Sequence, residues 1–105
     1  MDENPEERRF TELVVTAAEP AAVDIVCFEL RDPAGGPLPR FEPGAHLTVR
    51  APNGMLRRYS LCNDPAETDR YEIAVKRDAA GRGGSIAMAD QLAVGSRLPV
   101  AEPVN

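Results

Sequence analysis

The 105-residue sequence has no tryptophan, one histidine and two cysteines. Cys27 and Cys62 are not a close pair with metal-ligand spacing, so we expect no zinc or iron–sulfur site built by this chain alone. Both are interpreted as reduced, half-buried thiols. His46 has no visible serine or cysteine partner and is interpreted as structural or exposed. The shortage of ligands predicts a site without a bound metal.

Long apolar runs and excess positive charge are also missing. No run approaches the roughly 18 residues of a membrane span, and the N-terminus MDENPEERRF has no signal-peptide core. The formal net charge of -5 disfavours nonspecific binding to nucleic acid or to anionic membranes. We therefore expect a cytoplasmic protein in which local arginines hold any bound anion.

The composition indicates one mainly β domain. A chain of 105 residues that is 43% apolar can form a single core. Ten prolines and eight glycines favour short elements joined by turns, and no long helical period is visible. The domain is expected to cover residues 10–101, after a flexible lead-in at 1–9 and before a truncated connection at 102–105.

Apolar alternation predicts six strands. The first two should pair across Glu19–Pro20, and the second should lie inside the sheet because it is apolar on both faces. Pro52–Asn53–Gly54 predicts a hairpin turn, and the proline- and glycine-rich segment 32–39 is expected to be an exposed loop. The six predicted strands are 10–18, 22–31, 45–51, 55–62, 71–77 and 96–101.

A short helix is predicted between the last two strands. Ser85 is a suitable N-cap, residues 86–93 carry apolar side chains at helical spacing, and Gly95 can end the helix in the left-handed conformation.

The segment 55–85 combines residue types that suit an aromatic, phosphate-bearing ligand. Arg57, Arg58, Tyr59 and Ser60 share one predicted strand, and a glycine-rich run at 81–85 precedes the helix. An aromatic ring can stack on a heterocycle, whereas an arginine and free backbone amides can hold a phosphate. Adjacent strand residues point to opposite faces, so one of the two arginines is expected to be a solvated surface charge.

Each of these signals also has a plainer interpretation. The glycine run lacks both the dinucleotide-binding pattern and the lysine of a P-loop, and such a segment is often a simple turn. Tyr59 could be an ordinary strand aromatic with its hydroxyl in water. Cys62 could lie near a ligand or be a small buried thiol.

Three elements in register resemble the flavin-binding domain of the ferredoxin-NADP reductase superfamily, in its phthalate dioxygenase reductase or vanillate demethylase reductase branch. The resemblance implies a six-stranded antiparallel Greek-key barrel capped by one short α-helix. The elements are Glu42-Pro43-Gly44-Ala45-His46, the segment from Arg57 to Pro65 containing Arg-x-Tyr-Ser, and Tyr71 to Arg77 running into the glycines.

The resemblance also implies roles for individual residues. Arg57 would pair with the flavin phosphate, Tyr59 would lie along the isoalloxazine or ribityl chain, and Ser60 would be the catalytic candidate beside the ring atom that receives hydride. Backbone groups around residues 74–76 would meet the pyrimidine edge, and the glycines with Ser85 would wrap the phosphate. The implied cofactor-binding residues are Arg57, Tyr59, Ser60, Leu61, Ala74, Val75, Lys76, Gly81, Gly83, Gly84 and Ser85.

By the same resemblance, the cofactor would be FMN, with FAD as the alternative. NADH and a two-iron ferredoxin cluster would bind in NAD-binding and ferredoxin domains absent from this chain, and electrons would pass to a terminal oxygenase. The alternative from another functional class is a barrel of the same fold that holds no flavin and serves as a protein docking module with an exposed apolar patch.

Overall fold

The computed structural model describes residues 10–77 and 84–105, without the side chains of residues 84–86. Within these ranges, six antiparallel strands form one curled half-barrel, with strand order β4-β3-β6-β1-β2-β5, and one short helix packs beside it. The predicted mainly β fold is thus confirmed. No helix in the described ranges is long and apolar enough to span a membrane. The elements are β1 (Thr11–Ala22), β2 (Ile25–Arg31), β3 (His46–Arg50), β4 (Leu56–Ser60), β5 (Tyr71–Lys76), α1 (Gly84–Gln91) and β6 (Arg97–Val100).

The first hairpin is longer than predicted, and its turn lies elsewhere. β1 continues through Pro20 to Ala22, and the chain reverses at Val23 and Asp24, where Asp24 has φ 61°. The predicted turn at Glu19–Pro20 is therefore wrong. Proline is tolerated in β1 because the ladder shifts register between Pro20 and Ala22 and because β6 pairs with β1 only as far as Val14. The interior position predicted for β2 is confirmed, since it lies between β1 and β5.

The concave face of the half-barrel carries the core. Apolar residues at alternate strand positions are buried there, as the period of two predicts. The fully buried strand residues are Leu13, Val15, Phe28, Leu30, Leu47, Val49, Tyr71, Ile73, Val75 and Leu98.

Part of the predicted exposed loop belongs to this core. Leu38 is buried, and its N–H donates to the carbonyl of Thr68 at 2.8 Å. Tyr71 donates its hydroxyl to the Pro39 carbonyl at 2.5 Å, and its ring meets Phe41 edge-on. The expectation of a wholly exposed loop is wrong. The many prolines and glycines indicate a loop, and a single apolar residue, Leu38, gives too little sequence signal for burial.

The β3–β4 hairpin has the predicted turn, with Gly54 at φ 88°. β3 also pairs on its other side with the C-terminal residues. His46 and Val104 exchange two main-chain hydrogen bonds of 2.8 and 3.0 Å, and Ala101 donates its N–H to the Thr48 carbonyl at 2.9 Å. Residues 101–104 thus continue along β3 after β6 ends.

The helix begins and ends two residues earlier than predicted, so Ser85 lies inside α1 rather than at its N-cap. Gly95 has the expected positive φ of 95°, but it lies four positions beyond Gln91. Its N–H donates to the Val15 carbonyl at 2.8 Å. This glycine therefore shapes the turn into β6 rather than the last turn of the helix.

The convex face carries a network centred on Arg70. Its guanidinium contacts Glu29 at 2.8 Å, Glu67 at 3.0 Å and Glu72 at 3.1 Å, and Arg31 contacts Glu29 at 3.0 Å. The pKa of Glu29 is lowered to about 2, mainly by the 2.8 Å hydrogen bond from Thr16 and then by those from the two arginines. The network joins β1, β2 and the start of β5.

We predict that Glu29→Gln lowers the free energy of unfolding at neutral pH by about 1–2 kcal/mol, because a charged acceptor shared by two cations is lost. The stabilisation from the lowered pKa is fully present above the ordinary pKa of 4.5 and is lost as pH falls towards about 2. Urea unfolding of both proteins should therefore give curves that converge between pH 5 and about pH 2. Glu12→Gln, at an exposed position, is the control. A stability difference between the native chain and Glu29→Gln that does not change with pH would contradict the role assigned to Glu29.

Candidate functional site

A gap between the two edge strands is the candidate site. β4 and β5 lie at opposite ends of the strand order, yet the curled sheet brings them together at one bridge between Leu61 and Ile73. Cys62 donates its N–H there to the Glu72 carbonyl at 2.8 Å. No other β4–β5 pair occurs in the described ranges, so the ladder stops after one bridge and leaves the rest of both edges open.

Main-chain polar groups line both sides of this gap. On β4, the Leu61 N–H points to β3 and donates to Ala45 at 3.0 Å, whereas the Cys62 N–H points to β5. Because successive residues of an antiparallel strand alternate between the two edges, the main-chain groups of Ser60 and Arg58 face the gap.

The same alternation assigns the β5 edge. The Glu72 carbonyl accepts from β4, so Ala74 and Lys76 turn their main-chain groups to the same edge. The Ala74 N–H belongs to the Leu61–Ile73 bridge, and the Ala74 carbonyl and the main chain of Lys76 face the gap. Val75 is predicted to face the flavin together with these two residues. Its main chain instead faces β2, and its side chain lies in the core.

The side chains of β4 separate as the sequence predicts. Arg57 and Tyr59 lie opposite Val49 and Leu47, on the concave face, and are half-buried. Arg58 and Ser60 lie opposite Thr48 and His46, on the other face, and are exposed. The prediction that the two arginines point to opposite faces, with one of them a surface charge, is thus confirmed.

Arg57 keeps its charge available. Its guanidinium donates to the Leu56 carbonyl at 3.1 Å and approaches the Met55 sulfur at 3.7 Å. No carboxylate among the described residues forms an ion pair with it, in contrast to Arg31, Arg70 and Arg77. Tyr59 packs against the core two residues along β4, so the strand that borders the gap carries an aromatic residue as well as this cation.

The helix flanks the same gap. α1 packs against both β5 and β4, and Arg77, just after β5, holds Asp90 of the helix through contacts of 3.0–3.2 Å. Gly84 is the first helical residue, so the positive end of the helix dipole lies at the end of the glycine run. Gly81 and Gly83 lie outside the described residues, as does the side chain of Ser85.

The two cysteines differ in environment. Cys27 is half-buried, as expected, and burial together with the charge of Glu72 raises the pKa of its thiol. Cys62 is exposed, so the expectation that it is half-buried is wrong; its thiol approaches the Ser60 carbonyl at 3.6 Å. Because Cys62 follows the bridge directly, its side chain lies at the closed end of the gap.

The described residues contain no group of three or more His, Cys, Asp or Glu side chains that could hold a metal ion. His46 is half-buried and its main chain pairs with Val104, which is compatible with a structural role.

Comparison with known proteins identifies the group to which the chain is related. It is 58% identical over 96 residues to the phthalate 4,5-dioxygenase oxygenase reductase subunit of Pseudomonas putida, covering 91% of this chain and 30% of that protein. It is 54% identical over 101 residues to phthalate dioxygenase reductase of Burkholderia cepacia, covering 96% and 31% respectively. This chain is a homologue of the phthalate dioxygenase reductases.

The fold comparison agrees. A solved phthalate dioxygenase reductase, described as a modular structure for electron transfer from pyridine nucleotides to [2Fe-2S], superposes with a TM-score of 0.92 and 52% identity over 98% of this chain and 32% of that one. No family model matches the sequence. The chain spans about a third of the length of these three relatives. The resemblance inferred from the sequence is confirmed.

The described residues fit a flavin. A planar ring with a hydrogen-bonding edge suits a gap that has main-chain donors and acceptors on both sides and an aromatic residue on a bordering strand. A phosphate suits Arg57, whose charge has no carboxylate partner in the described ranges.

Asn63 and Arg77 carry no sequence signal for a site. Asn63 lies in Asn-Asp-Pro, which indicates only the end of a strand, and Arg77 is one of several charged residues after an apolar run. Their positions depend on contacts that the local sequence does not show, between Asn63 and the start of β5 and between Arg77 and Asp90 of α1.

We predict that thiol reagents label Cys62 faster than Cys27, because Cys62 is exposed and burial raises the pKa of the Cys27 thiol. The measurement is the rate of disulfide-reagent labelling at pH 8 for the native chain, Cys27→Ser and Cys62→Ser. Loss of the fast phase in Cys27→Ser, rather than in Cys62→Ser, would contradict this placement.

Proposed function

We propose that this chain is the flavin-binding part of a cytoplasmic, NADH-dependent reductase of an oxygenase system, with the domain at residues 10–101. The open ladder between β4 and β5 carries the proposal. Main-chain hydrogen-bonding groups face the gap, and β4, which borders it, carries Tyr59 and Arg57, an arginine without a carboxylate partner in the described ranges. The homology to oxygenase reductases supports the same conclusion.

The chain's own residues bind and orient the cofactor. Arg57 pairs with the phosphate, and Tyr59 covers one side of the ring. The main-chain groups of Ala74 and Lys76 meet the polar ring edge, while Ser60 offers its hydroxyl or main-chain amide beside the reacting atom. A bound flavin supplies the capacity to accept hydride and to pass on single electrons. The protein fixes the orientation of the ring and the access of water to it.

FMN is the proposed flavin. The run Gly81, Gly83, Gly84 and Ser85 is short in sequence and rich in glycine, which suits one terminal phosphate beside the start of α1. The relatives include the reductase subunit of a phthalate 4,5-dioxygenase and a reductase that transfers electrons from pyridine nucleotides to [2Fe-2S]. We accordingly propose NADH as electron source, a two-iron ferredoxin centre as acceptor and a terminal oxygenase beyond it, all bound by parts outside this chain.

The docking-module alternative requires a sizeable apolar surface. The exposed large apolar residues among those described are Val23, Val94 and Val104, which belong to the β1–β2 turn, the turn after α1 and the C-terminal segment. This distribution gives the alternative no support.

The visible absorption spectrum of the purified chain tests the proposed function. We expect a flavin spectrum and, after denaturation and chromatography, released FMN. If the preparation is colourless, we expect saturable binding when FMN is added, measured by the change in flavin fluorescence. Release of FAD would keep the site and change the cofactor, whereas failure to bind either flavin would refute the proposed function.

We predict that Arg57→Ala weakens FMN binding by about 1.5–3 kcal/mol, the range for a charge-assisted hydrogen bond. Arg58→Ala is the matched control, because this neighbouring arginine points to the opposite face and only its main chain faces the gap. Titration of each variant with FMN should separate them by at least tenfold in Kd. Equal affinities would remove Arg57 from the phosphate site.

A further inference from the structure

Asn63 is a buried side chain that forms hydrogen bonds through both its amide nitrogen and its amide oxygen. It lies three residues beyond the end of β4, is 8% exposed, and is one of two buried polar residues among those described. Its amide nitrogen donates to the Arg70 carbonyl at 2.9 Å, and its amide oxygen accepts from the Glu72 N–H at 2.9 Å. The side chain therefore provides hydrogen-bond partners for two main-chain groups at the start of β5, where β4 does not continue the ladder.

These bonds lie at the closed end of the gap. Together with the Cys62 N–H bond to the Glu72 carbonyl, they give three hydrogen bonds between the segment after β4 and the start of β5. We call these three bonds the asparagine clasp. Beyond the clasp and the Leu61–Ile73 bridge, β4 and β5 do not pair in the described ranges. The direct hydrogen bonds between the two strands are therefore concentrated at this end, while α1 packs against both strands.

The clasp is anchored on a fixed support. Arg70, which provides one acceptor, has its guanidinium bound to Glu29 of β2 and to Glu72 of β5. Tyr71, between the two clasp positions, is buried and donates its hydroxyl to Pro39. The start of β5 is thus also held by its ladder to β2, by the Arg70–Glu29 contact and by Tyr71, so we expect it to stay in place if the amide contacts are lost.

We propose that Asn63 is the positioning residue of the gap: its amide fixes the distance between Ser60 on β4 and the open edge of Ala74 and Lys76 on β5. This inference rests on the proposed flavin site. A flat ring between these edges contacts Ser60 on one side and β5 on the other, so a change in their separation alters both the affinity for the ring and its surroundings. Asn63 does so without touching the ring, through the strands that it joins.

The test compares Asn63→Ala and Asn63→Asp with the native 105-residue chain. Asn63→Ala removes both contacts. Asn63→Asp keeps an oxygen that can accept from the Glu72 N–H, but an ionised carboxylate cannot donate to the Arg70 carbonyl. We expect FMN to bind about tenfold more weakly to both variants, and the visible circular dichroism of bound FMN to change. In the flavin-free chain, the Glu72 amide should exchange its hydrogen faster in Asn63→Ala.

Val15→Ala is the matched control for lost stability. It removes buried volume from the core on β1, away from the gap. At a temperature where all the proteins are folded, it should leave FMN affinity and visible circular dichroism unchanged. A merely structural role for Asn63 would make the asparagine variants behave like Val15→Ala.

The outcomes separate the two proposals. If the native chain binds FMN and the asparagine variants bind it with the same affinity and the same circular dichroism, the positioning role is refuted and the flavin site stands. If the native chain binds neither FMN nor FAD, both proposals fall. If Asn63→Ala does not fold, Asn63→Asp, which loses only the donor, provides the deciding comparison.

Discussion

The unfinished ladder between β4 and β5 is the constraint on which the rest of the structure depends. A strand edge presents unpaired N–H and C=O groups that need partners, and this half-barrel pairs its two outer strands at a single bridge. The neighbouring features all bear on that edge: α1 packs across it, Arg77 ties the helix to β5, and Asn63 joins the two strands at the closed end. The proposed flavin ring has a polar edge that suits the groups that remain.

The arginines of the described residues differ in whether they form an ion pair with a carboxylate. Arg31, Arg70 and Arg77 are bound to carboxylates and join elements of the sheet or the helix. Arg57 has main-chain and sulfur contacts instead, so its positive charge can attract an anion in a chain of net charge -5. An acidic protein can hold a phosphate in this way without a general affinity for polyanions.

Much of this fold can be predicted from local patterns. Alternation gives the six strands and most of the core, because one face of each strand is buried, and adjacent positions in β4 place Arg57 and Arg58 on opposite faces. The turn at Val23 and Asp24 could not be found this way, since Pro20 is a stronger turn signal than the residues that form the turn.

The candidate site is less accessible to such reasoning. The Arg-x-Tyr-Ser element is local and can be recognised, but the gap exists only because the sheet curls and brings its two ends together. Val75 shows the limit: three consecutive residues cannot all face one edge, and only the ladder register decides which do. Asn63 is found only when the hydrogen bonds of its side chain are traced to β5.

The irregular first strand has a consequence for self-association. Beyond Val15, the outer edge of β1 has no neighbouring strand in the described ranges, and an open edge is a template on which a second molecule can add a strand. Pro20 removes one amide donor from this strand, and two register shifts bend it away from a flat geometry. The proline that misleads a search for turns therefore protects the molecule against edge-to-edge aggregation.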